Sequence, residues 1–395
     1  VHAVGAALLL ATGAKAQAPA VADSTRIPNP PVGWSGVFWA SMSVATDSAS
    51  TAVNGGHERT QFNLDRLYLT LRLPINQDAF VRVTTDISAS PPSQATSPRG
   101  WALRVKYAYL HYDLWRHIGG VEGLTLAGRI GILHTVAIDH EEQYWARYLT
   151  ATAIERDGFF SSADAGAALM LTLPKRMGEL YATVTNGPGF QSPEVDHFKD
   201  YALRATFTPF ATDSSWLSGL VISPWVYVGR TASLHENDVA PATLGPVDGG
   251  LRRDRWGLFV ANRYHPLTFG VDLATRTETF EAGANTVASP RIAADSSGRL
   301  TGAWMLVRPT ELAGDGRSRW GIIGRYDHFV PNTASTGGVS GATPVQLFSV
   351  AGLFVEPNPR TTVALDWQHF GSLGYAPAFK PPEGNLVMLH VQATF

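Results

Sequence analysis

Two runs, Phe62-Asn-Leu-Asp-Arg-Leu-Tyr-Leu-Thr-Leu-Arg-Leu73 and Asp78-Ala-Phe-Val-Arg-Val-Thr-Thr-Asp-Ile-Ser-Ala89, are separated only by Pro74-Ile-Asn-Gln77. In the first, Leu67, Leu69, Leu71 and Leu73 point one way and Arg66, Tyr68, Thr70 and Arg72 the other. In the second, Ala79, Val81, Val83 and Ile87 oppose Arg82, Thr84 and Asp86. A period of two is the signature of a strand. Each run is about the 9–11 residues that cross a bilayer as a tilted strand. One face is apolar and the other charged, which predicts a wall with lipid on one side and water on the other.

The same pattern continues in both directions. The last strand sets Val387, Leu389, Val391, Ala393 and Phe395 against His390, Gln392 and Thr394. From Trp34 onward sixteen strands are predicted, at roughly 34–46, 62–73, 78–89, 102–115, 122–132, 161–173, 178–186, 200–208, 217–230, 254–264, 266–278, 299–309, 318–329, 345–356, 359–370 and 385–395. Strand 102–115 does not alternate cleanly, so its facing stays open. Connections after even-numbered strands are short, as at Pro174-Lys-Arg-Met177, His265-Pro266 and Glu356-Pro-Asn-Pro359. After odd-numbered strands they are long and polar, as at 47–61, 133–160 and 231–253. A soluble sandwich has no reason to segregate loop length this way, whereas an outer-membrane barrel has short periplasmic turns and long external loops. Trp34, Trp115, Trp216, Trp256 and Trp320 fall near strand ends, as an aromatic girdle requires. The expected fold is therefore all-β: a transmembrane antiparallel barrel of about sixteen strands over 34–395.

Composition agrees. Eleven Trp, 12 Tyr and 18 Phe accompany only 16 % charged residues, yet mean hydropathy is near zero. Net charge is −2, which gives no reason to expect nucleic acid as a partner. Cysteine is absent, excluding disulfides and thiol chemistry. The opening Val1-His-Ala-Val-Gly-Ala-Ala-Leu-Leu-Leu-Ala11, with Ala16-Gln-Ala18, reads as a signal peptide over 1–18, and the Pro-rich 19–33 as a periplasmic leader.

One connection differs from the rest. The third long loop, 133–160, carries a helix signature, with Asp139 as the cap and Glu142 three positions on. Glu141 and Glu142 sit in the first turn and Arg147 comes later, in keeping with the helix dipole. Tyr144, Trp145, Tyr148 and Leu149 are spaced to share one face. A helical plug tethered between neighbouring strands of a hollow barrel would narrow the hole. The competing reading is a surface helix on a soluble β domain.

A chain whose last strand ends on Phe395 resembles the bacterial outer-membrane β-barrel class, where that terminal aromatic belongs to the assembly signal. The Phe62–Leu71 run followed by Phe80-Val-Arg-Val-Thr-Thr-Asp86 resembles the early hairpin of the phosphate-selective porin group. Tyr107-Ala-Tyr109, Gly128-Arg-Ile-Gly131 and Ser161-Ser-Ala-Asp-Ala-Gly166 continue the likeness over roughly residues 60–210. The resemblance implies a sixteen-stranded porin of the outer membrane, commonly a homotrimer, with the third long loop folded into the pore. Membrane lipid and lipopolysaccharide would surround it, and the barrel-assembly machinery would insert it. Phosphate-selective members carry Lys-rich ladders; here Lys occurs only at Lys15, Lys106, Lys175, Lys199 and Lys380.

Assigning faces by the apolar partner puts Arg66, Arg72, Arg82, Arg129, Arg204, Arg255, Arg263, Arg276 and Arg325 on the lumen wall. Asp86, Asp164, Asp272, Asp327 and Asp366 oppose them, leaving the wall net basic. Fixed positive charge on a pore wall favours anions. Arg66, Arg72, Arg82 and Arg129 are expected to stand against the insert's acids Asp139, Glu141 and Glu142, setting up a transverse field across a constriction that also includes Arg147. The functional reading is a diffusion porin for small polar solutes, leaning toward anions. The alternatives are a plugged barrel with a structural or adhesive role, a sugar-type channel, and a soluble secreted β protein. Enzymatic readings are thin: Gly338-Val-Ser-Gly341 has its second glycine one place early for a nucleophile elbow. The histidines lack paired ligand spacing, so no metal is implied, and no cofactor is.

Overall fold

The computed structural model describes residues 32–54, 59–89, 101–194, 196–232, 250–282, 292–314, 316–333 and 343–395. The expected signal peptide, all but the end of the leader, and Gly338–Gly341 lie outside the described residues.

Sixteen strands form: β1 (Gly33–Ala45), β2 (Thr60–Pro74), β3 (Ala79–Ala89), β4 (Trp101–Trp115), β5 (Thr125–His134), β6 (Ala163–Thr172), β7 (Gly178–Thr185), β8 (Asp200–Phe207), β9 (Leu220–Thr231), β10 (Leu251–Tyr264), β11 (Leu267–Ala282), β12 (Ile292–Val307), β13 (Trp320–Val330), β14 (Val345–Asn358), β15 (Thr361–Leu373) and β16 (Gly384–Thr394). Each strand pairs antiparallel with its sequence neighbours, and β1 closes on β16 from Val37↔Thr394 to Ala45↔Leu386. Closure leaves no edge with unpaired backbone groups, the condition a sheet must meet in hydrocarbon. The seam is finished by Phe395, whose N–H donates to Gly36 O at 3.0 Å while Gly36 N–H donates to Phe395 O at 2.7 Å. The Phe395 ring lies where a side chain on residue 36 would be, so any larger residue there would have to displace the ring.

Faces alternate as the hairpin predicts. Leu69, Leu71 and Leu73 are exposed, as are Val387, Leu389 and Phe395, while Asp86 and His390 are buried. All five girdle candidates, Trp34, Trp115, Trp216, Trp256 and Trp320, are exposed. The irregular β4 is explained by a bulge: Thr84 pairs with Tyr107 but Thr85 with Val105, leaving Lys106 as the extra residue. Parity flips there. Leu103 and Val105 are exposed before it, and Tyr107, Tyr109 and His111 are buried after it. Lys106 itself is turned to the buried face, only 3 % exposed.

Two sequence expectations need correction. Connection lengths alternate in the main, but the interval 283–291 is shorter than 208–219, because β11 and β12 each run to 16 residues. The insert holds no long helix. It contains α1 (Ile138–Glu141), with Ala137 at the N-cap position and no side-chain cap, and α2 (Ala153–Arg156). Asp139 does not cap; its carboxylate is drawn instead to His134 Nε2, 3.2 Å away. The true side-chain cap in the insert is Thr152, whose Oγ1 accepts from Glu155 N–H at 3.4 Å. Nor do the aromatics share one helical face: Tyr144 packs on Phe259 of β10, Trp145 on Trp304 of β12, and Tyr148 toward His390 of β16.

Candidate functional site

The segment between β5 and β6 touches strands far from its own. His140 Nε2 lies 2.9 Å from Ser223 Oγ of β9. Gln368 of β15 donates to Leu149 O at 3.3 Å. Four arginines donate to backbone carbonyls of the segment: Arg204 of β8 to Val136, Arg255 of β10 to Phe159, Arg276 of β11 to Asp157 at 3.1 Å, and Arg325 of β13 to Ala151 at 2.7 Å. Each of the four also meets an acid: Arg204 with Glu179, Arg255 and Arg276 with Glu278, and Arg325 with Asp327. Loop carbonyls removed from water need donors, and these guanidinium groups supply them. Arg263 stands apart from this group, over the Tyr144 ring at 5.1 Å. Within the segment Arg147 bridges Glu142 at 3.0 Å and Glu155 at 2.8 Å.

The opposite wall, β2 to β5, is arranged differently. Arg66 is paired with Asp86 at 2.8 Å. Arg72 lies over the Phe80 ring at 3.8 Å, and that ring stacks in turn on His111. Arg82 donates to Thr84 Oγ1 at 3.2 Å and lies 3.3 Å from His134 Nε2. Arg129 Nε donates to His111 Nδ1 at 3.3 Å. Lys106 donates to Tyr68 OH at 3.2 Å. Arg72, Arg82, Lys106 and Arg129 have no carboxylate within 4.0 Å among the described residues. Arg72 and Arg82 are direct cross-strand partners, a like-charge pairing that is unfavourable unless anions are near.

These four cations line one cavity of about 620 Å³, whose lining also includes Asp139 and Glu142 of the insert. Four cations thus stand against two carboxylates. Burial would lift the Asp139 carboxyl, but His134 and Arg82 outweigh it and hold it below the ordinary range. Burial pushes Glu142 up, with Lys106 and Arg147 drawing it part of the way back.

Arg72, Arg82, Arg129, Asp139 and Glu142 are thus brought together as the sequence suggested. Glu141 is not among them: it is 2 % exposed and meets Asp272 of β11, where burial first and that neighbouring acid second push its carboxyl well up. Lys106, Tyr68 and His134 were missed. The signal for Lys106 was present as the broken alternation of β4, since a bulge there re-aims one side chain.

No protein-family model matches the chain, and no curated protein matches it by sequence. In fold it is similar to an anion-selective porin from Comamonas acidovorans, at 10 % identity and a TM-score of 0.57, covering 92 % of this chain and 99 % of that one. It is similar also to the outer membrane channel DcaP of Acinetobacter baumannii, at 11 % identity and TM-score 0.55, covering 92 % and 97 %. OprB of Pseudomonas putida gives 9 % identity and TM-score 0.56, covering 92 % and 94 %. At these identities the likeness is one of fold.

Proposed function

We propose that this chain is a bacterial outer-membrane porin, a water-filled channel for passive diffusion of small polar solutes with a lean toward anions. The insert between β5 and β6 lies across the lumen and sets its constriction. The observation that carries the reading is the contrast in neutralisation. Arg72, Arg82, Lys106 and Arg129 line one cavity without carboxylate partners, whereas Arg204, Arg255, Arg276 and Arg325 are each matched to an acid and a carbonyl. Unit charges 4 Å apart interact by about 4 kcal/mol at an effective dielectric near 20, and mobile ions reduce this in salt. Enough remains to bias permeation. The resemblance to phosphate-selective porins supports an anion path without choosing the anion. Phe395, seated on Gly36 at the seam, is the assembly signal in this reading. Lipopolysaccharide and lipid cover the exposed face, and three copies form the working unit.

The test is the reversal potential of the purified protein in a planar bilayer under a potassium chloride gradient. A potential of anion sign supports the reading, and one of cation sign contradicts it. A second reading, a barrel whose lumen is stopped by the insert, draws on the four arginines that fix the insert's carbonyls. It predicts no conductance at all in the same measurement.

A further inference from the structure

The bulge in β4 turns two consecutive side chains, Lys106 and Tyr107, to the buried face, and both line the cavity of about 620 Å³. Tyr107 is 3 % exposed, and its hydroxyl has no hydrogen-bond partner among the described residues. A phenol out of water normally finds a partner, and leaving its O–H unused is costly. A donor kept in this state on a cavity wall suits an acceptor brought from outside the chain. Two cations flank it: Arg82 Cζ and Lys106 Nζ lie 5.0 and 5.2 Å from the centroid of the Tyr107 ring.

An acid stands close to this donor group. Arg82 Nη1 lies 3.3 Å from His134 Nε2, and Asp139 Oδ1 lies 3.2 Å from the same nitrogen. One ring nitrogen can serve only one of them: as N–H it donates to Asp139, and bare it accepts from Arg82. The Asp139 side chain is 37 % exposed, so its carboxylate keeps accessible acceptor sites. It meets no Lys or Arg within 4.0 Å among the described residues. Glu142, the other acid of the lining, is engaged by Arg147 at 3.0 Å, and Arg147 also meets Glu155. Arg66 and Asp86 pair with each other and are not part of the lining. The cavity therefore offers an unused hydroxyl and a guanidinium on one side and an accessible carboxylate on the other.

We infer that this cavity is a station for a small zwitterion of the α-amino-acid type. The carboxylate sits on the Tyr107 hydroxyl and Arg82, and the ammonium sits on Asp139. The inference rests on the porin reading above and names a solute class for the same cavity. Both poles touch one imidazole nitrogen, and a hydrogen bond at each end of the solute adds about 2.9 Å. A molecule whose ammonium and carboxylate share one carbon can therefore reach both. A plain carboxylate gains the same cations but is repelled by Asp139, whereas a zwitterion turns that repulsion into attraction. The sign of the ionic current is untouched, since the solute carries no net charge.

Glycine and acetate share a carboxylate and differ by the ammonium, so their binding is compared by saturation-transfer NMR on the full chain folded in detergent. Glycine should bind about tenfold tighter than acetate, as one added charge-assisted hydrogen bond implies. In Asp139→Asn the order should reverse, because glycine loses its ammonium partner and acetate loses a repelling charge. Tyr107→Phe takes nothing from the barrel's own hydrogen bonds, and should weaken both ligands about tenfold with heat-modifiable migration unchanged. Equal binding of glycine and acetate to the parent protein overturns the station. A glycine preference kept in Asp139→Asn, or undiminished binding in Tyr107→Phe, overturns it as well. Glycine preference in a protein that conducts nothing in bilayers leaves the station standing and overturns the porin reading. An anion-sign reversal potential without glycine preference does the converse.

Discussion

The wall from β8 to β13 and the wall from β2 to β5 are built from the same cation, and use it oppositely. On the first, Arg204, Arg255, Arg276 and Arg325 are each spent on a carbonyl of the insert and on an acid of the barrel. On the second, Arg72, Arg82 and Arg129, with Lys106, are ordered by aromatic rings and neutral donors or acceptors, form no direct ion pair, and are only partly offset by Asp139 and Glu142 across the cavity. An arginine in a barrel is therefore not evidence of selectivity by itself. What decides its role is whether a carboxylate and an orphan carbonyl lie within its reach.

That contrast can be broken from either side. The largest effect should come from Arg325→Met, since Arg325 and Asp327 are 1 % and 0 % exposed. Removing one member of a buried pair costs up to about 3–5 kcal/mol, moderated here because Arg156 still meets Asp327 at 2.6 Å, while Ala151 O loses its donor. Urea unfolding of the protein folded into vesicles should show the loss, while the reversal potential stays of the same sign. A wild-type midpoint would mean that this wall does not hold the insert. Arg82→Glu is the converse. It turns four cations against two carboxylates into three against three, so the reversal potential should move toward cations, with an effect of roughly 1–4 kcal/mol at 4 Å between bulk water and an effective dielectric near 20. An unmoved potential would place the permeant path elsewhere. Smallest is Thr152→Ala, which removes the cap of α2 and should cost about 1 kcal/mol. A cost near zero would show that the neighbouring contacts, not the cap, fix that turn.

The barrel was legible because two of its determinants are local: the period of two in each strand and the length of each connection. Strand β4 was not, because a single bulged residue, Lys106, reverses its facing and no composition rule marks the bulge. The insert was misread as one capped helix for a related reason. Asp139 has the right residue type for a cap, but His134 on β5 takes its carboxylate. The four arginines on the carbonyl-holding wall were assigned to the buried face by alternation, yet their partners lie 68, 96, 119 and 174 residues away in sequence. Contacts of that range depend on where the barrel brings the insert, which no local pattern encodes. Alternation put Arg72, Arg82 and Arg129 on one face of β2, β3 and β5, and the pairing then sets Arg72 opposite Arg82 and Arg129 opposite His111 of the intervening β4.

The central claim is that the insert crosses the lumen and sets its constriction. Deleting 139–150 tests it most directly, with single-channel conductance recorded in planar bilayers from protein whose heat-modifiable migration shows a folded barrel. The deletion removes Asp139, Glu141, Glu142 and Arg147 but none of the four cavity cations. The account predicts a larger unit conductance with the anion preference kept in sign. A folded deletion variant with the conductance of the parent protein would contradict it.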